Sequence, residues 1–134
     1  MRIMAIDYGD ARTGIAVSDP LGILAGETFV ITEWDAERLA RTIVTEAKAR
    51  DVSTLVLGLP KNMDGTEGPR AEKSRAMKAL LEQRGMTVVL WDERRTTVDA
   101  HRILRENGKR EKKHKQTVDA VAAALILEAY LGTL

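Results

Sequence analysis

The pattern of apolar and polar positions divides the chain into short strands followed by alternating strands and helices. Apolar or β-branched runs bounded by turn residues predict strands at 3–6, 15–17, 24–31 and 87–91. The continuous apolar run over 52–59 predicts a strand covered on both faces, as in a parallel sheet. Apolar residues at helical spacing predict helices over 36–50, 70–84, 97–107 and 117–131, with Asp35 as an N-cap and Gly85 as a stop.

The order of these elements predicts the fold class. Three leading strands joined by short turns form an antiparallel unit, and the strands that follow alternate with helices. The sequence therefore predicts an α/β fold, with a mixed five-stranded sheet flanked by helices. At 134 residues, with no repeat or low-complexity linker, we expect a single domain over residues 1–134.

Composition narrows the class of protein. The chain has no cysteine, so disulfides and thiolate metal sites are excluded. No apolar run approaches the ~18 residues of a membrane span, and Asp7 and Asp10 interrupt the place where a signal peptide would be apolar. We therefore expect a cytoplasmic protein that does not enter a membrane.

Positive charge is concentrated late in the chain, although the net charge is only +1. Six basic residues stand against two glutamates between 105 and 115: Arg105, Lys109, Arg110, Lys112, Lys113 and Lys115. Such a local excess attracts polyanions such as nucleic acid, or it simply keeps a solvated loop soluble. The chain has two Trp, two Tyr and one Phe, which argues against base stacking as the main source of affinity.

Three carboxylates stand at the ends of predicted elements. Asp7 ends the first strand, Glu93 follows the last strand, and Asp119 lies in the first turn of the last helix, among apolar residues. If the first and last strands lie near each other, these acids meet at the carboxyl edge of the sheet. Clustered carboxylates need a cation, and oxygen ligands favour Mg²⁺ or Mn²⁺ over zinc. A site of this kind suits hydrolysis at phosphorus.

Each acid also has an ordinary structural interpretation. Asp7 would cap a turn, Glu93 would pair with a neighbouring arginine, and Asp119 would favour the start of a helix. Asp92 and Glu93 are adjacent, so in a strand their side chains point to opposite faces and only one can serve. Periodicity does not decide which.

Four sequence blocks resemble the RuvX/YqgF family of Holliday-junction resolvases and pre-16S rRNA nucleases, which have the RNase H-like fold. The blocks are IDYGDARTGIAVSD (6–19), GLPKNMDGTEGPRA (58–71), DERRTT (92–97) and KQTVDAVAAALIL (115–127). The resemblance implies a metal-dependent nuclease that processes the 5′ end of pre-16S rRNA or resolves DNA junctions. It also implies that Asp7, Glu93 and Asp119 are the acidic metal-binding triad.

The same resemblance implies which residues hold the substrate. Arg12 and Arg70 take substrate roles, and the loop over 61–68 lies over the site. In that loop Lys61 contacts the nucleic acid, and Gly65 and Gly68 let the backbone approach a phosphate; an ordinary flexible connection is the alternative. The loop before the last helix, over 109–115, is expected to be basic and mobile, with Lys113 and Lys115 contacting nucleic acid.

Other interpretations stay open at this point. The more distant junction resolvases carry a fourth acid one helical turn after the third, where this chain has Ala122 and Ala123. The spacing of Asp7, Gly9 and Gly14 also resembles the phosphate-binding hairpin of actin-like ATPases and sugar kinases, which need two lobes. A binding module in ribosome assembly without activity is a third possibility. A homodimer would suit a four-way junction, whereas trimming of RNA needs only a monomer.

Overall fold

The computed structural model describes the backbone of residues 2–96 and 112–134, and the side chains of 2–96 and 120–134. Five strands are present: β1 (Arg2–Asp7), β2 (Arg12–Ser18), β3 (Ala25–Thr32), β4 (Val52–Leu59) and β5 (Thr87–Asp92). The helices are α1 (Ala36–Ala49), α2 (Pro69–Gln83) and α3 (Lys112–Leu131), and a single 3-10 turn, Glu93–Arg95, follows β5. The predicted mixed five-stranded sheet with flanking helices is confirmed.

The strand order in the sheet is β3-β2-β1-β4-β5. β1 pairs antiparallel with β2 and parallel with β4, and β4 pairs parallel with β5. The first and last strands lie near each other, as the sequence argument required, but they are not direct neighbours, because β4 lies between them. The apolar run of β4 explains this placement, since a strand that is buried on both faces takes a central position.

Side chains that alternate along the strands divide the core into two layers. Met4, Ile6 and Leu57 pack with α1 and α2 in one cluster. Ala5 and Val56 pack in the other cluster, which holds the buried residues of α3. Because successive side chains of a strand point to opposite faces, the odd-numbered positions of β1 face α3.

Two predicted helix boundaries are confirmed with their chemical cause. The Asp35 carboxylate accepts a hydrogen bond from the Arg38 N–H at 3.1 Å and caps α1. Gly85, after the end of α2, has a φ of 87°, in the left-handed region that glycine adopts at low cost.

The start of α3 differs from the prediction. Residues 112–115, predicted as part of a mobile loop, are helical, and α3 begins five residues before the predicted start at 117. Lysine and glutamine are good helix formers, and no glycine or proline separates residue 112 from residue 117. The helix predicted over 97–107 lies outside the described residues. Among the helices that are described, none has the length and apolar character to cross a bilayer.

Candidate active site

Asp7 is the last residue of β1 and belongs to the face of the sheet that α3 covers. Ile3 and Ala5, four and two positions earlier, both pack in the cluster on that face, and the alternation continues to Asp7. In the parallel register Ile6 pairs with Leu57, so Gly58 is the position of β4 beside Asp7. The carboxylate therefore lies at the carboxyl edge of the central strands.

Gly58 is the feature that allows a second carboxylate onto this face. A Cβ built on Gly58 would lie 3.1 Å from Glu93 Cδ, 3.2 Å from Glu93 Cγ and 3.1 Å from Ile126 Cδ1. The Glu93 side chain thus crosses over β4 at the one position that lacks a side chain. Asp7 ends β1 and Glu93 follows β5, and the glycine at position 58 of the strand between them leaves room for the Glu93 side chain on the face that Asp7 belongs to.

The 3-10 turn after β5 fixes the direction of Glu93. The Thr96 N–H donates to the Glu93 carbonyl at 3.0 Å, and the Asp92 carboxylate accepts from the Arg94 N–H at 3.0 Å. Below the turn, Trp91 Nε1–H donates to Thr96 Oγ1 at 3.3 Å, and the Arg95 guanidinium lies 4.2 Å from the centre of the Trp91 ring. These contacts hold the turn at both ends.

The two adjacent acids have opposite electrostatic environments. Burial raises the pKa of Glu93, the positive charge of Arg70 lowers it in part, and the charge of Asp92 raises it further. None of these causes is a hydrogen bond. In contrast, the hydrogen-bonded Arg94 guanidinium lowers the pKa of Asp92. A carboxylate that is desolvated in this way gains most from a cation, whereas Asp92 already has its counter-charge.

Three of the predicted substrate-binding residues surround this edge. Arg12 begins β2 two positions before Gly14, which pairs with Asp7. Arg70 lies in the first turn of α2, within electrostatic reach of Glu93. Lys61 begins the loop after β4, where it forms a β-bridge with Glu67, and its charge lowers the pKa of Asp92.

The loop over 60–69 is folded on itself as a tight turn. The Asn62 N–H donates to the Thr66 carbonyl at 2.8 Å, the Asp64 carboxylate accepts from the Thr66 N–H at 2.9 Å, and Gly65 has a φ of 90°. Arg94 connects this turn to the site, because its guanidinium donates to the Met63 carbonyl at 3.4 Å and to the Asp92 carboxylate at 2.7 Å. The loop thus has hydrogen bonds of its own and a connection to the turn that carries Glu93.

The other predicted site residues are on α3. Lys113, Lys115 and Asp119 belong to its backbone, and their side chains lie outside the described residues. Ala122 and Ala123, at the positions of the absent fourth acid, are buried against the sheet. Within the part of the chain whose side chains are described, no group of three or more Asp, Glu, His or Cys residues forms a metal site.

The arrangement can bind a hard cation through carboxylate oxygens. Asp7 and Glu93 offer oxygen donors at one edge, and burial at Glu93 makes neutralisation by a cation favourable. The basic side chains around them suit a phosphodiester backbone. Two positions were missed from the sequence, Gly58 and Arg94. A glycine inside an apolar strand often marks a place where another group approaches the backbone closely, so the position of Gly58 in the run over 52–59 was the available signal.

A family model and the curated relatives of this chain point to the same protein family. Residues 1–133 match the RuvX family, described as Holliday junction resolvase. A protein of Acetivibrio thermocellus, called "Putative pre-16S rRNA nuclease", is 47% identical over 99% of this chain and 96% of its own length. A Listeria monocytogenes serotype 4b protein with the same name is 46% identical over 99% of both chains.

Solved structures share the fold at low sequence identity. RuvC of T. thermophilus in complex with a Holliday junction aligns with a TM-score of 0.63 at 15% identity, over 99% of this chain and 97% of the other. The fowlpox virus resolvase in complex with Holliday junction DNA aligns at 0.53 and 10% identity, over 99% and 98%. The predicted RNase H-like fold is thereby confirmed.

Proposed function

This chain belongs to the RuvX family, and from that membership we propose that it is a divalent-metal-dependent nuclease that hydrolyses phosphodiester bonds in precursor 16S rRNA. The observation that carries the proposal is the approach of Glu93 to the Asp7 face across Gly58. The two acids come from separate strands, one of them is desolvated, and basic side chains surround them. An acid with only a structural role needs neither a second acid nearby nor surrounding basic side chains.

The residues proposed to hold the metal are Asp7 and Glu93, with Asp119 from α3 as the third. The donor chemistry fits Mg²⁺ or Mn²⁺, since the chain has no thiolate and both described donors are carboxylates. When bound, the metal supplies activation of water and stabilisation of the leaving oxygen. This chain supplies the fixed positions of the carboxylates, through the Gly58 crossing and the 3-10 turn.

The basic residues are proposed to bind and orient the nucleic-acid backbone. Arg70 extends from the first turn of α2 beside Glu93, and Arg12 extends from β2 on the Asp7 side. Lys61, on the loop over 60–69, is proposed as a third basic contact. Lys113 and Lys115 of α3 are proposed to add to the same nucleic-acid-binding surface. Contacts of this kind place the phosphate and carry no sequence information, so binding weakens steeply as salt rises.

RNA is the proposed substrate because the curated relatives at 47% and 46% identity are named for it. Junction DNA is the second candidate, since the family is described as Holliday junction resolvase and two proteins with this fold carry that substrate in their complexes. A symmetric junction would require a dimer, whereas RNA trimming works with one copy.

The test compares cleavage of matched RNA and DNA, each single-stranded, duplex and four-way, with Mg²⁺ or Mn²⁺. Wild type is compared with Asp7→Asn and Glu93→Gln, and Asp51→Asn serves as the matched acid control, because Asp51 is exposed and precedes β4 at the opposite edge of the sheet. We expect metal-dependent cleavage that both site variants abolish and the Asp51 variant keeps. Absence of cleavage on every substrate would overturn the proposal, and the preferred substrate decides between RNA processing and junction resolution.

A further inference from the structure

An aromatic groove lies next to the candidate active site, on the other face of the sheet. It is lined by Tyr8 and Trp34, by Met77 and Leu80 of α2, and by the ion pair of Asp10 with Lys73. Its volume is about 490 Å³, which lies in the range of about 300–1,000 Å³ that is usual for small-molecule sites. A groove of this size accommodates a nucleotide.

Trp34 is a large aromatic side chain that is 77% exposed beside this groove. The Glu33 carboxylate accepts hydrogen bonds from the N–H groups of Trp34 at 3.0 Å and of Asp35 at 3.1 Å, and Asp35 in turn caps α1. The backbone at Trp34 is thus hydrogen-bonded, while the ring lines the groove and is not packed in the core. Aromatic side chains are enriched at recognition surfaces.

The groove continues toward the candidate active site. A smaller depression shares Tyr8, Asp10 and Lys73 with it and is also lined by Pro60 and Arg70. Arg70 acts electrostatically on Asp10 on one side and on Glu93 on the other. A strand whose phosphate lies at Glu93 thus passes Arg70 and Lys73 before it reaches Trp34.

The charges on this path favour an anionic strand. Arg70 and Lys73 stand next to Asp10 between the two sites, whereas Glu33 and Asp35 lie beside Trp34, so the positive charge is nearest the candidate active site. The Lys73–Asp10 contact of 2.9 Å joins two side chains that are 58% and 72% exposed. Exposed ion pairs contribute little stability, so Lys73 can exchange Asp10 for a phosphate at small cost.

We propose that this groove binds an unpaired base of the substrate strand, stacked on Trp34 and Tyr8, a few nucleotides from the phosphate that is cleaved. The inference rests on the proposed nuclease function and specifies its substrate: nucleic acid with a single-stranded segment beside the cleavage position. Stacking accepts any base, so the groove selects for an unpaired strand and not for a sequence.

The test measures binding of RNA duplexes that are blunt or carry a 5′ or a 3′ single-stranded tail. Asp7→Asn serves as the parent so that bound RNA stays intact in Mg²⁺. We expect Trp34→Leu to weaken binding of one tailed RNA by about fivefold or more and to change blunt duplex by less than about twofold, as the loss of one base–aromatic stack predicts. Trp34→Phe should retain most of the affinity. Leu21→Ala, at an equally exposed apolar residue on the β2–β3 turn, should change nothing.

Fluorescence gives an independent readout, because Trp34 is 77% exposed whereas Trp91 is 5% exposed. Tailed RNA should protect Trp34 from acrylamide quenching, and a tail of abasic nucleotides should not. Asp10→Asn should tighten tailed RNA and Lys73→Ala should weaken it.

Two results would refute the proposal that the groove binds an unpaired base. One is equal affinity of the Trp34→Leu variant and its parent for tailed RNA. The other is an equal loss of affinity for tailed and blunt RNA in that variant. The proposed function fails separately, since it requires cleavage by wild type whatever Trp34 does.

Discussion

Substitution of Gly58 by alanine tests whether the crossing of Glu93 over β4 creates the active site. The new methyl group would lie 3.1–3.2 Å from two Glu93 carbons and from Ile126 Cδ1, where ordinary contacts are 3.4–4 Å. The neighbours must therefore move by a few tenths of an ångström. Both are ends of side chains and not backbone, so the fold can absorb the change.

The expected cost in stability is small. Overpacking costs about 1–3 kcal/mol, and flexible neighbours put this case at the low end. Replacing a glycine inside a strand recovers roughly 0.5–1 kcal/mol. The net loss is then about 0–1 kcal/mol, or at most about 3–5 °C in Tm.

The expected cost in activity is larger. Because a shift of about 1 Å in a reacting group can lower a rate about 100-fold, displacement of Glu93 by part of that distance should lower kcat about tenfold or more. The assay is initial-rate cleavage of the preferred substrate over a range of Mg²⁺, with thermal melting of the same preparations. Gly132→Ala is the matched control, since its Cβ would meet only two carbonyl oxygens at 3.5 Å, which is ordinary contact.

A double variant separates the two contacts. Ile126→Val removes the Cδ1 atom, so in the Gly58→Ala background it relieves the clash with α3 and leaves the clash with Glu93. Because Ile126 is buried, the lost methyl group by itself costs about 0.5–1.5 kcal/mol. We therefore expect the double variant to lose less Tm than the two single variants added together, with no recovery of kcat. Full activity of Gly58→Ala with unchanged metal dependence would refute the reasoning that Gly58 places Glu93.

Four further predictions concern the charges around the site. Burial raises the pKa of Glu93, so the folded protein loses stability as pH rises above 4.5, the ordinary pKa of a glutamate. In the presence of chelator, Glu93→Gln should therefore have a higher Tm than wild type at pH 8, and the difference should narrow toward pH 5. A lower Tm for the variant at pH 8 would contradict this. Asp92→Asn should shift Tm the other way, since Arg94 lowers the pKa of Asp92. Arg94→Gln should speed hydrogen exchange in the loop over 60–69 and lower kcat. Lys78→Gln, whose ion pair with Glu82 lies within α2, should change neither. Arg70→Gln should reduce the slope of log affinity against log salt by about 1; an unchanged slope would remove Arg70 from the phosphate contacts.

The elements that could be predicted from the sequence are those with a local cause. Apolar spacing and the N-cap Asp35 predict α1 within one residue at its C-terminal end, and the apolar run of β4 gives both of its boundaries. The start of α3 was predicted too late, because a cluster of lysines is compatible with a solvated loop and with a helix, and the packing of distant residues decides between them.

Features that depend on strand order could not be predicted in this way. The position of β4 between β1 and β5 follows from pairing across the whole chain, which periodicity does not encode. The role of Gly58 depends on that order. A glycine is needed at this position because the Glu93 side chain crosses β4 to reach the face that Asp7 belongs to. The exposure of Trp34 is similar, since an apolar residue before a helix cap is just as often packed against the helix.

The central position of β4 has a consequence for how activity arises during synthesis. The β1–β2–β3 meander contains Asp7 and is joined by local antiparallel pairing, so these pairs can form before β4, the other partner of β1, has been synthesised. Glu93 follows the last strand and needs β4 as its bridge. A chain that lacks β4 and β5 therefore carries only one residue of the described acid pair, and the pair is complete only when β5 has joined the sheet. With these acids as the proposed catalytic residues, we expect such a chain to be inactive, so activity would follow completion of the sheet.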